Sequence, residues 1–177
     1  NIITLLHKNG IEPKQITKVL LSHLHKDHCD GLGSFKDGKF MQNFEKATIY
    51  IQEKELEYAL KQKDNPSFNQ EILKEISALP NIHWMNEEKG FITENIKFEI
   101  TGGHSPFHQA FWVIEENETA FYGSDNLPQK GYLKFHIAYK TDDNGKKAME
   151  LRQIWEKTAK EEHWTVLFYH DLKNNAL

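Results

Sequence analysis

Thr17-Lys18-Val19-Leu20-Leu21-Ser22-His23-Leu24-His25-Lys26-Asp27-His28-Cys29-Asp30-Gly31-Leu32-Gly33-Ser34 is the stretch on which the reading of this chain turns. A short apolar run bounded by polar residues ends at Ser22, and such a run reads as a buried strand. Three histidines and an aspartate follow within six residues, and then a glycine-rich turn. A polar cluster just past a strand lies on the loops where α/β proteins bind ligands. His23 and His25 are two apart, so in extended backbone their side chains leave on the same side and suit one metal ion. Asp27 and His28 are adjacent, point differently and suit a second ion close by. Imidazole nitrogen with a little carboxylate is a ligand set that zinc favours. A loop of solvated histidines is the competing account, and the density of the string argues against it.

The string His23-x-His25-x-Asp27-His28 resembles the signature of the metallo-β-lactamase-fold hydrolases, a superfamily that includes lactonases, glyoxalase II, organophosphate hydrolases and RNase Z. The resemblance implies an α+β fold, the αββα sandwich of that superfamily. It also implies later ligands in a fixed order: a histidine in a glycine-rich turn, a bridging carboxylate, and a final histidine. His104, Asp125 and His170 meet that order, each just after an expected strand. By the same resemblance His23, His25 and His104 would hold one metal, and Asp27, His28 and His170 a second. Asp125 would bridge the two. The implied cofactor is a pair of zinc ions, with iron or manganese as alternatives. Histidine at position 25, where flavodiiron relatives carry glutamate, favours zinc. Aspartate at position 125, where β-lactamases proper carry cysteine, favours the lactonase and glyoxalase branch. The resemblance runs from about residue 11 to 170 of the 177.

Composition sets the frame for this reading. A chain of 177 residues with 38% hydrophobic and 27% charged residues is globular and long enough for one domain, expected over residues 1–177. The net charge of -4 and a basic complement that is lysine apart from Arg152 argue against a nucleic-acid partner. Cys29 is the sole cysteine, which excludes an internal disulfide and makes the cytoplasm the expected compartment. No stretch approaches the ~20 apolar residues of a membrane helix, and no signal peptide is visible. Residue 1 is Asn, and relatives carry several strands before the motif, so a domain truncated at its N-terminus is expected. A small-molecule substrate is the expected partner, and self-association is left open.

The remaining elements follow from periodicity and punctuation. Helices are expected over residues 1–9, 53–63, 70–79 and from a cap at Asp142 or Asp143 to about 162. Met149, Ile154, Trp155 and Ala159 are assigned to the apolar positions of the last helix. Strands are expected at 17–22, 47–51, 82–85, 91–93, 96–101, 110–115, 119–122 and 164–169. Lys36 to Lys39 reads as a polar loop. Residues 126–141 read as a long irregular segment of the kind that is often functional. That segment and loop 31–45 are expected to shape the pocket.

Several further residues are weighed. His108 is read as a hydrogen-bonding support for a ligand rather than a ligand, because Pro106 breaks the helical turn back to His104. Cys29 is read as a small buried thiol. His136, Tyr132 and Tyr139 lie where a substrate contact is plausible, and spacing selects none of them. Phe107, Phe111 and Trp112 read as core. The function implied is a dinuclear zinc-dependent hydrolase that turns a metal-bridging hydroxide on an ester, lactone or thioester, with Asp27 and Asp125 as the proton-handling carboxylates. Alternatives are a nuclease or phosphoesterase of the same fold, a mononuclear iron sulfur-dioxygenase, and a metal-binding scaffold without turnover.

Overall fold

The computed structural model describes residues 2–135 and 137–177, so His136 lies outside the described residues. The chain divides into two compact units, Asn1–Asn86 and Glu87–Leu177. The first runs α1 (Ile2–Lys8), β1 (Lys18–Leu20), α2 (Lys26–Cys29), β2 (Gly33–Lys36), β3 (Lys39–Gln42), β4 (Thr48–Gln52), α3 (Glu53–Lys61), α4 (Gln70–Ser77) and β5 (Ile82–Met85). Strands β1, β4 and β5 form a parallel sheet in that order. Parallel neighbours need a crossover, and α3 with α4 supplies the one between β4 and β5.

Alternation fixes which side of β4 packs. Ile49 and Ile51 are buried and join one apolar cluster with Leu56 and Ala59 of α3 and Ile72, Leu73 and Ile76 of α4. These are the helical stripes the periodicity predicts. Helix α4 starts where Asn69 Oδ1 accepts from Ile72 N at 3.4 Å, a side-chain cap on an otherwise unpaired N–H. The expected polar loop at 36–39 is instead the turn of a β2–β3 hairpin. Asp37 and Gly38 both take positive φ, 51° and 73°, the backbone of a two-residue hairpin turn. Phe35 and Phe40 meet across it with ring centres 5.6 Å apart.

The second unit contains β6 (Lys89–Thr93), β7 (Ile96–Ile100), β8 (Gln109–Glu115), β9 (Glu118–Tyr122), α5 (Gly145–Glu161) and β10 (Thr165–Leu167). Its sheet order is β10-β9-β8-β7-β6, antiparallel except for the parallel β10–β9 pair. Phe121 is fully buried and is the hub of the core. Its ring lies 5.0 Å from Trp112, 4.8 Å from Trp155 and 5.2 Å from Trp164. Phe111 and Trp112 are buried as predicted.

Helix α5 departs from expectation in two ways. Its cap is Asn144, whose Oδ1 accepts from Lys147 N at 3.0 Å, and not Asp142 or Asp143. Its buried residues are Ala148, Arg152 and Trp155, whereas Ile154 is 60% exposed. The positions 148, 152 and 155 are spaced by four and three, one face of a helix. An arginine occupies the middle of that face because its head finds oxygen partners, described below. Among the described residues no helix is long and apolar enough to cross a membrane.

Candidate metal centre

In the first unit the motif loop begins where β1 ends. Leu24 is fully buried and anchors the loop, so the flanking His23 and His25 share the other side. His25 has extended backbone, φ -65° and ψ 148°, and its C=O accepts from His28 N and Cys29 N at 2.9 and 3.0 Å. It therefore caps α2, which places Asp27 in the first turn. The loop is braced from behind. Leu24 N donates to the buried Glu55 carboxylate at 3.3 Å, Lys26 N donates to Ser67 C=O at 2.8 Å, and Asn69 donates to Asp30 at 2.9 Å.

The imidazoles are oriented by these constraints. Ser22 Oγ stands 3.1 Å from His23 Nδ1, which turns Nε2 the other way. His23 Nε2 and His25 Nδ1 then lie 3.1 Å apart. His28 Nε2 lies 3.5 Å from Asp27 Oδ2, and the rings of His23 and His28 are 4.2 Å apart. Cys29 is excluded from the cluster. Its Sγ faces Leu24 C=O at 3.5 Å, and burial pushes the thiol well above its usual range, with Asp30 adding to the shift.

In the second unit three turns carry His104, Asp125 and His170. Asp125 lies in a short 3-10 turn after β9, and Ser124 before it takes a positive φ of 45°. That is an uncommon conformation for a non-glycine residue, of the kind that clusters at functional sites. Asp125 aims one oxygen at each neighbour: Oδ2 is 3.4 Å from His104 Nε2, and Oδ1 is 3.3 Å from His170 Nε2. His104 Nδ1 is 2.8 Å from Asp142 Oδ1. Asp142, assigned to a cap by its position in sequence, thus supports a histidine and sets its tautomer. His170 is held by its backbone: its N–H donates to Pro128 C=O at 3.0 Å, and its C=O accepts from Gln129 at 2.9 Å. Asp171 closes this turn, and the N–H groups of Lys173 and Asn174 hold its carboxyl below the usual range.

These separations test whether a metal fits. Two donor atoms on one tetrahedral zinc, each 2.0–2.1 Å from it, stand about 3.3 Å apart. The four pairs stand at 3.1, 3.5, 3.4 and 3.3 Å. A charge-assisted hydrogen bond is shorter, about 2.7–2.9 Å. The His104–Asp142 pair at 2.8 Å has that length, and the three candidate pairs that include a carboxylate do not; the His23 and His25 imidazoles, at 3.1 Å, are also within hydrogen-bond distance of each other. The donor spacing in each unit therefore fits ligands that share an ion, and imidazole with carboxylate fits zinc.

Within the first unit the structure brings together His23, His25, Asp27 and His28. Within the second it brings together His104, Asp125 and His170. His108 Nδ1 lies 3.0 Å from Thr101 Oγ1 and 3.2 Å from Asn126 Nδ2, and its ring meets that of His104 edge-on with centres 6.2 Å apart. The two tyrosines stack on each other but have different surroundings. Tyr132 lies under the Arg152 guanidinium at 5.2 Å and packs on the core. Tyr139 stacks on it at 5.4 Å and lines a cavity of about 330 Å³ with His104, Asp125, Gln129, Asp142 and His170.

The chain is similar to known proteins in sequence and in fold. The family model described as anti-Pycsar protein Apyc1 matches residues 1–142. An N-acyl homoserine lactonase of Bacillus cereus is 26% identical over 174 residues, which are 97% of this chain and 62% of the lactonase. A probable metal-dependent hydrolase from Staphylococcus aureus superposes with a TM-score of 0.81 at 21% identity, covering 99% of this chain and 62% of the other. AidC, a dizinc quorum-quenching lactonase solved with a product, N-hexnoyl-L-homoserine, gives a TM-score of 0.77 at 22% identity, covering 98% and 64%. The chain thus spans about 62% of the length of the curated relatives it matches. The structural likenesses show the α+β metallo-β-lactamase fold that the motif implied.

Proposed function

The chain belongs to the anti-Pycsar protein Apyc1 family, and from that premise we propose that it is the ligand-bearing part of a dinuclear zinc hydrolase. His23, His25 and His104 would hold the first ion, Asp27, His28 and His170 the second, and Asp125 would bridge them. The observation that carries the reading is Asp125, with its two oxygens turned to different imidazoles at 3.4 and 3.3 Å. A carboxylate with one oxygen toward each imidazole is placed as a ligand shared between two ions would be. A zinc pair, when bound, would supply Lewis acidity and lower the pKa of a water toward neutrality.

The chain's own groups do the rest. Asp142 fixes the proton of His104 on Nδ1, so the Nε2 lone pair is available to a ligand. Asp27, with a side chain 49% exposed, is reachable by solvent and by substrate, and it takes a proton from the attacking water and returns it to the leaving group. Asp125 is 12% exposed and stays an acceptor between its two histidines. The substrate is an ester, lactone or thioester whose carbonyl reaches the cavity beside Tyr139 and Gln129. Arg152 is fully buried on carbonyl groups and offers no fork to a phosphate.

A phosphoester is the second reading, and the divided Asp125 favours it too, because two-metal sites suit in-line displacement at phosphorus. Metal analysis of the full-length protein, with a panel of a lactone, an aryl ester, a thioester and an aryl phosphodiester, tests both. Two equivalents of zinc and turnover of a carbonyl substrate are expected, with both lost in Asp125→Ala. Turnover of the phosphodiester alone selects the second reading. Undiminished turnover by the metal-free protein, or by Asp125→Ala, overturns both.

A further inference from the structure

One buried side chain beside the second cluster neither faces the imidazoles of His104 and His170 nor handles protons. Asn126 follows Asp125 and is fully buried. Its carboxamide is committed to the turn that carries His104. Oδ1 accepts from His104 N at 2.8 Å. Nδ2 donates to Gly102 C=O at 2.6 Å and to Thr101 Oγ1 at 2.9 Å, and it stands 3.2 Å from His108 Nδ1. The orientation of the amide follows from these partners, since a backbone N–H needs the oxygen and a backbone C=O needs the nitrogen. Its main chain is fixed from the other side, where Arg152 Nη1 donates to Asn126 C=O at 2.8 Å.

The partner turn is built to receive this side chain. Gly103 has a φ of +89°, and a Cβ there would sit 2.5 Å from Asn126 Oδ1. Glycine is needed for both reasons, and two successive glycines make the turn pliable unless something holds it. The start of α5 holds one side: Asn144 N donates to Gly103 C=O at 2.8 Å. The Asn126 amide ties the turn to the residue next to Asp125.

We infer that Asn126 is a positioning residue that sets the separation of His104 Nε2 from Asp125 Oδ2. The inference rests on the two-zinc reading above. It assigns to one amide the job of holding two ligands, 21 residues apart in sequence, at the spacing one ion needs. Supporting groups around metal ligands tune affinity by about 10–100-fold, and this amide supports two ligands at once.

The test uses the full-length protein and two readouts besides turnover: zinc affinity by competition with a chromophoric chelator, and the visible absorption of the cobalt(II) form. Asn126→Ala is expected to weaken zinc binding by about 10–100-fold and to change the cobalt spectrum, measured well below its melting temperature. Asn126→Asp keeps the shape but sets a carboxylate oxygen against Gly102 C=O, so it is expected to fail in the same way, and it serves if the alanine variant does not fold. Phe121→Leu lowers the melting temperature through the core and is expected to leave affinity and spectrum unchanged. Wild-type zinc uptake with an unaltered Asn126→Ala or Asn126→Asp protein overturns this inference alone. A wild-type protein that takes up no zinc overturns the reading beneath it as well.

Discussion

The two ligand clusters reach the same donor spacing by opposite routes. The first is local: His23, His25, Asp27 and His28 span six residues, and one buried leucine with one short helix sets how they point, braced from behind by Glu55 and Asn69. The second is dispersed: His104, Asp125 and His170 span 67 residues and sit on three turns. A local cluster is set by backbone conformation, which folding of the segment itself supplies. A dispersed cluster has no such guarantee, so its turns are sewn together by side chains: Asn126, Asp142 and Asp171. The second cluster should therefore be far more sensitive to polar substitutions outside the ligand set.

The largest effect expected is at Asp125. Asp125→Ala removes the carboxylate that both histidines face, and it should cost more than the ~100-fold that supporting residues reach. Zinc stoichiometry should fall together with turnover; a variant that keeps both ions and its activity would detach this residue from the centre. Next comes the core of the unit that carries the dispersed cluster. Phe121→Ala empties a fully buried aromatic site between three tryptophans and should cost about 3–5 kcal/mol. Chemical denaturation checks it, and a loss under about 1 kcal/mol would mean that the site collapses around the gap.

A sharper comparison sets the supports against each other. Asp142→Ala leaves His104 without its 2.8 Å partner and frees the ring to turn and to change tautomer. Zinc affinity should fall by about 10–100-fold, which is about 1.4–2.7 kcal/mol. In the local cluster Ser22→Ala removes the 3.1 Å contact to His23 Nδ1, yet Leu24 and the extended backbone still aim that ring. The loss there should be smaller. Equal losses in calorimetric titration would refute the claim that the local cluster is oriented by its backbone.

The same contrast explains what the sequence could disclose. His23-x-His25-x-Asp27-His28 is legible because the residues that cooperate are neighbours. His104, Asp125 and His170 are legible only through resemblance to a superfamily, since nothing in their own sequence surroundings joins them. The supports were not legible at all. Asp142, Asp143 and Asn144 are three consecutive residues that can each cap a helix. The chain uses the last as the cap, which releases Asp142 for His104. Arg152 stands on an apolar face where an arginine is normally excluded. Its acceptance depends on the carbonyl groups of Asn126 and Ile137, which come from a loop that has no periodicity. Burial pulls its guanidinium below the usual range, with Asp142 and Tyr139 opposing the shift. The β2–β3 hairpin, by contrast, carries its own signal: Asp37-Gly38 between Phe35 and Phe40 is a hairpin pattern.

The smallest effect separates the two regions most cleanly, because the same residue type does the same local job in each. Asn69 caps α4 and Asn144 caps α5, each by accepting one backbone N–H, from Ile72 and Lys147. Replacing either cap with alanine should cost about 1 kcal/mol, and a modest drop in melting temperature should follow. The two differ in what else they hold. Asn69 also donates to Asp30 at 2.9 Å, one residue beyond the helix that carries Asp27 and His28. Asn144 donates its backbone N–H to Gly103, and that bond survives a change of side chain. Asn144→Ala should thus lower stability and spare metal binding despite its place beside the sensitive, dispersed cluster. Asn69→Ala should lower stability and also loosen zinc by a small factor. If the order is reversed, the local cluster depends on its own backbone more completely, and the dispersed cluster depends on the α5 cap rather than on Asn126 and Asp142.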